Sequence, residues 1–149
     1  MSDRVQFFAA ESSLSLNSAP IPAGWIRQGN PQASAARLWG SDDRTALALV
    51  WDCTAGVFDW HYTEEETVHI LEGEVHIEIV GGVSFRLGPG DTAVFRRNAH
   101  AVWTIPSRVR KVAICRKEMP FALTFPLLAL RKLRMLATSL RRRERPLVG

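Results

Sequence analysis

"EVHIEIVGGVSFRLGPGD", residues 74–91, alternates along its first half and turns twice. Val75, Ile77 and Ile79 fall on one face of an extended chain, and Glu74, His76 and Glu78 on the other. That is the period of two expected of a half-buried strand. His76 is therefore expected on a polar, solvent or edge face. Gly81 and Gly82 in "VGGV" supply the positive φ angles of a tight hairpin, and "GPGD" at 88–91 reads as a second tight turn.

Outward from this stretch the same signal repeats. "ALALVWDC", "VFDWHY", "TVHIL", "EVHIEIV", "VSFRLG", "TAVFRR", "AVWTI" and "VRKVAICR" read as eight short strands over residues 46–116. Short strands at this spacing predict an all-β fold, a small antiparallel jelly-roll barrel. Ahead of them, residues 1–45 form an irregular lead-in punctuated by Pro20, Pro22, Gly24, Gly29, Pro31 and Gly40, with a short helix as an option at the extreme N-terminus. The barrel is placed at 46–118. Beyond Glu118 the period lengthens: Leu127, Leu130, Leu133, Leu136 and Leu140 recur every three or four residues among arginines. This predicts an amphipathic basic C-terminal helix within 119–149, starting near Pro126.

Composition bounds the function classes. A chain of 149 residues suits one domain with a core that needs no disulfides. Cys53 and Cys115 each lie in a strand-like run, outside any zinc spacing, and read as buried free thiols. No apolar run reaches the ~18 residues of a membrane-spanning helix, and no secretory leader is apparent, so a cytoplasmic location is expected. The net charge of +4 is uneven: residues 1–118 carry 12 Lys/Arg against 14 Asp/Glu, and residues 119–149 carry 7 against 1. The basic segment has two readings. Its leucines close a face of the barrel or a dimer, or residues 126–145 lie on an anionic membrane or dock a partner. Nucleic acid ranks below both, because no aromatic residues are interleaved with the arginines.

The chemistry-bearing residues gather in "DWHYTEEETVHILEG", residues 59–73. Asp59 and His61, two apart on a strand, share a face and can point into a barrel, where Glu66 joins them after the "TEE" turn. Imidazole and carboxylate together suit manganese, iron, nickel or zinc. The plainer reading is a hydrogen-bonded Asp–His pair with no metal. Glu64 and Glu65 read as a solvated turn, His69 as outward-facing, and Trp60 and Trp103 as core.

The ordered combination resembles the cupin superfamily, in the branch of short single-domain ureidoglycine-aminohydrolase-like and ethanolamine-utilisation-like proteins. Glu66 and Gly73 match the end of its first motif, and Pro89, Gly90 and Asp91 the start of its second. Trp51, Cys53, Thr54, Gly56 and Phe58 match the branch's opening pattern, and Val109 to Val112 its closing "VRKV". The resemblance implies a homodimer, which would also cover sheet edges. It further implies a metal site in which Asp59 and His61 stand at the two first-motif histidine positions and Glu66 at the glutamate. The second-motif histidine position is Ala101. His100 is one residue out of register and faces the other way unless a bulge rescues it as a fourth ligand. Arg96 and Asn98 stand where proline and glycine are common.

The expected function is binding of a small polar molecule in the barrel, with a divalent metal or with none. If the protein is an enzyme, Glu66 or Asp59 would move a proton. The alternative is a metal-free, non-catalytic ligand-binding or assembly module whose basic helix engages a partner or membrane.

Overall fold

The computed structural model describes residues 14–143, and they divide into two units at Glu118. The first is an antiparallel β-structure of nine strands: β1 (Asn17–Ser18), β2 (Ile26–Gly29), β3 (Ala33–Gly40), β4 (Ala46–His61), β5 (Glu65–Gly73), β6 (Val75–Ile79), β7 (Ser84–Leu87), β8 (Thr92–Phe95) and β9 (His100–Arg116). The second contains one helix, α1 (Phe121–Arg143). The N-terminal helix option lies outside the described residues.

Two long strands organise the first unit. β4 and β9 pair antiparallel along their whole lengths, from Ala46 opposite Arg116 to His61 opposite His100. The first half of β4 pairs with β3, and its second half with β2. On β9, residues 109–116 pair with β5, and residues 101–104 with β6. Each long strand therefore takes different neighbours along its two halves, which meet at a register shift at Thr54/Gly56 within one nine-stranded sheet. A Cβ at Gly56 would sit 2.8 Å from the Pro31 ring, so glycine lets the lead-in close against the bend.

This corrects two expectations. The runs read as "ALALVWDC" and "VFDWHY" are one strand, as are "AVWTI" and "VRKVAICR", because hydrogen bonding resumes after the bulge. The lead-in is not irregular throughout: β1, β2 and β3 all lie in it. β1 and β2 are short, lie among prolines and glycines, and are held by pairing to residues far along the chain, while β3, eight residues of small and mixed polarity, lacks the clean alternation that marks β6.

Turns stand at both expected places, although only Gly81 of the glycine pair has a positive φ. Gly81 has φ +76° and closes the β6–β7 hairpin, where the Ile79 amide donates to the Val83 carbonyl at 2.9 Å. Gly90 has φ +90°, and the Asp91 carboxylate accepts from the Gly88 amide at 2.8 Å. Val75 and Ile77 are buried while His76 and Glu78 are exposed, as alternation requires. The core gathers Phe58, Val68, Ile70, Val75, Ile77, Trp103 and Val109, each 1% exposed or less. Cys53 and Cys115 are buried free thiols, and burial pushes both up to about 12. His69 is exposed and contacts the Thr92 hydroxyl at 2.9 Å.

In α1 the Leu123 and Thr124 amides both donate to the Pro120 carbonyl, at 2.9 and 3.1 Å. Pro120, not Pro126, therefore stands at the start. Pro126 lies in the second turn, where its missing N–H costs the helix one bond, that to the Ala122 carbonyl. No helix among the described residues is long and apolar enough to cross a membrane.

Gly73 gives a direct check on the fold. It has φ +74°, and a Cβ there would overlap the Arg108 carbonyl oxygen. Gly73→Ala should lose more than ~2 kcal/mol in urea unfolding. Gly81→Ala, with nothing within 4 Å of the added carbon, should lose only ~1 kcal/mol.

Candidate functional site

A cavity of about 470 Å³ opens inside the first unit, its apolar walls built from Trp25, Trp51 and Trp60, with Tyr62, Glu66 and Lys111 among the lining. Lys111 decides its character. Its position on β9 continues the inward series Val109, Ala113 and Cys115, all buried. Strand register sets it opposite Trp51 on β4 and Ile70 on β5. Only 3% of it is exposed, and its Nζ donates to Glu66 Oε1 at 2.6 Å. The same nitrogen lies 4.6 Å from the Trp103 ring centroid, 5.0 Å from Trp51 and 5.9 Å from Trp60. An ammonium in an apolar interior needs a counter-charge and polarisable walls; Glu66 and three indoles supply them.

Aromatic packing fixes this arrangement. Phe58 and Trp103 stack at 6.3 Å, and Tyr62 lies on Phe95 at 4.5 Å with rings nearly parallel. Trp103 Nε1 donates to the Tyr62 hydroxyl at 3.1 Å. Burial, then the Glu66 charge, raises Tyr62 far above the ordinary phenol value. Trp60 pairs across the ladder with Ala101, which is fully buried. The small residue leaves room for the large one.

The expected ligand set is not brought together. Phe58 and Trp60 belong to the core side of β4, so strand alternation turns Asp59 to the outer side. There Asp59 accepts two bonds from Arg27, both 2.7 Å, and contacts His100 Nε2 at 2.6 Å. His61 ends β4 as an exposed residue on the cavity rim, stacked on His100 at 4.1 Å and edge-on to Trp25 at 5.0 Å. Glu66 is inside, with Lys111. The inward neighbours are thus Trp60 and Tyr62 in place of Asp59, with His61 at the rim. No bulge rescues His100: the ladder from Gly56 to His61 is unbroken, and Ala101 takes the inward place. Asn98 has φ +67°, the backbone that explains why glycine suits this position. Glu65 pairs with Arg116 at 3.2 Å.

These donors do not fit a resident divalent metal. Glu66 already faces an ammonium at 2.6 Å, which would repel a second cation, while Asp59 is committed to Arg27 and His100. Among the described residues no group of three or more His, Cys, Asp or Glu could hold a metal ion. Lys111 was the residue that sequence reading passed over. The signal was present: one lysine interrupts an otherwise apolar alternating series, at a strand position where a charge must find a buried partner.

Two stability measurements test these assignments. Lys111→Met strands a buried carboxylate and should cost ~3 kcal/mol, while adding Glu66→Gln should restore most of it; a double-mutant cycle in urea reads both. The Arg27 hydrogen bonds, helped by His100, hold Asp59 down at about 2, below its ordinary 3.8. A depressed carboxyl stabilises the fold above its unfolded value and loses that contribution as pH falls through the folded one. Asp59→Asn should therefore be ~1 kcal/mol less stable than wild type at neutral pH, screened by solvent around Arg27, and the gap should close between pH ~4 and ~2.

Residues 40–113 match the family model of the EutQ-like cupin domain. Among solved structures, the chain is similar to EutQ of Clostridium difficile, at 13% identity over 58% of this chain and 69% of that one, with a TM-score of 0.52. A putative ethanolamine utilization protein Q of Salmonella typhimurium LT2 aligns at 17% identity over 68% and 94%, TM-score 0.52. A protein of unknown function from Pseudomonas syringae pv. tomato str. DC3000 aligns at 24% identity over 69% of this chain and 45% of that one, TM-score 0.64. This chain thus spans less than half of the Pseudomonas protein, and at these identities the likeness is one of fold. No curated protein matches the sequence significantly. The family match and the Glu66–Gly73 spacing agree: the chain belongs to the cupin superfamily, in its EutQ-like branch.

Proposed function

We propose that this cupin binds a small organic molecule in its tryptophan-lined cavity, with the Glu66–Lys111 pair as the recognition element in place of a resident metal. The observation that carries the reading is Lys111 Nζ, 2.6 Å from Glu66 and beneath three indoles, in the lining of a cavity of about 470 Å³. That volume lies within the ~300–1,000 Å³ of small-molecule sites, which pair apolar walls with a few placed polar groups. Here the walls offer flat aromatic faces, and the polar groups offer a donor and an acceptor side by side. A fitting ligand has an aromatic or aliphatic body and a head that accepts from Lys111 while donating to Glu66. A neutral or zwitterionic head suits the pair, because its own charges already cancel.

Binding is favoured over proton-transfer catalysis because Glu66 is spent on Lys111, and Asp59, the other candidate, is on the outer side. The cavity thiol Cys115 is pushed up to about 12 by burial and by Glu66, which leaves it a poor nucleophile at neutral pH.

Ligand-observed NMR and tryptophan fluorescence against a panel of small amides, amino acids and carboxylates test the reading. Saturable binding is expected for heads that both donate and accept. It should drop at least tenfold in Lys111→Met/Glu66→Gln, checked by circular dichroism for an intact fold. Binding that the folded double variant keeps at full strength contradicts the proposal.

A further inference from the structure

A different part of the chain, independent of the cavity, carries a second reading. The first ten residues of α1, 121–130, contain no charged side chain, whereas 131–143 contain six Lys/Arg and no Asp/Glu occurs anywhere in the helix. Leu123, Leu127, Leu128, Leu130 and Leu133 are each more than half exposed. At 23 residues the helix is about 35 Å long, and it is not apolar enough to cross a bilayer. A long helix with bare leucines and a one-sign charge is suited to lie in a membrane interface.

We propose that α1 anchors the chain peripherally to an anionic membrane, with its leucines among the acyl chains and Arg131 and Lys132 at the lipid phosphates. The charge chooses this occupant. A second copy of the same helix would bring another set of cations and no acidic residue to meet them. A nucleic acid would meet the arginines but leave the leucines in water. An anionic bilayer satisfies both halves, adding roughly 1 kcal/mol per cation near the surface to the burial of apolar area.

The test is cosedimentation of the full chain with vesicles of phosphatidylcholine alone or mixed equally with phosphatidylglycerol, at low salt. Binding to the anionic vesicles only is expected. Arg131→Gln/Lys132→Gln should lower the partition coefficient about 30-fold, and Leu127→Ser/Leu130→Ser should abolish binding. Both variants should keep the wild-type near-ultraviolet spectrum of the tryptophans, all of which lie at or before residue 103. No vesicle binding, equal binding to phosphatidylcholine, or unchanged binding by the folded variants would overturn the proposal. So would lipid-free oligomers that the leucine variant disperses without any vesicle binding, since the helix would then join copies of this chain.

Discussion

The antiparallel pairing of β4 with β9, continuous except for one register shift at Thr54/Gly56, is the constraint from which the rest of the β-unit follows. It runs the length of both strands and gives each of them a different second neighbour along each half. Because side chains alternate with a period of two, that register leaves no freedom about what faces inward. It sets Trp51 opposite Lys111, Phe58 opposite Trp103 and Trp60 opposite Ala101. Aromatic packing then fixes the cavity walls, and the buried lysine meets Glu66 as its acidic partner.

The consequence for chemistry is a barrel organised around an internal ion pair. Coulomb attraction between close charges is strong in a poorly polarisable interior, but desolvating both is expensive. The indoles offset part of that cost through their negative faces. The acidic and imidazole groups that could have served a metal form a second, outer cluster of Arg27, Asp59, His100 and His61. There Arg27 of β2 is tied to β4, and His100 of β9 meets the same carboxylate. The cluster stitches the lead-in to the long strands and touches the cavity only at its rim, through His61.

Much of the fold was legible in the residues. Alternation over 74–80, the two-glycine turn and the Gly-Pro-Gly-Asp turn all stand where local rules put them, and the Glu66–Gly73 spacing has a physical basis in the close approach of Gly73 to the Arg108 carbonyl. Less legible was anything decided by distant pairing, such as β1 to β3 in a stretch cut by prolines. Asp59 is turned away from the cavity, contrary to expectation, while His61 reaches its rim. Counting alternation from buried Phe58 places Trp60 and Tyr62 inward, but attention to metal-donor types favoured the polar residues between them. The helix was legible in kind, though Pro126 misled about its start: it is the sixth residue of α1, past the first turn where a proline is tolerated, and the helix forgoes one bond there.

The proposal that the Lys111 ammonium occupies the electrostatic place a metal would need rests on its contact with Glu66. Its most direct test is elemental mass spectrometry of untagged protein prepared without chelator, after manganese, iron, nickel and zinc have been offered separately. Wild type should retain no stoichiometric metal with any of them. Near-stoichiometric metal that disappears in Glu66→Gln would contradict the account, because Glu66 could not then be committed to Lys111.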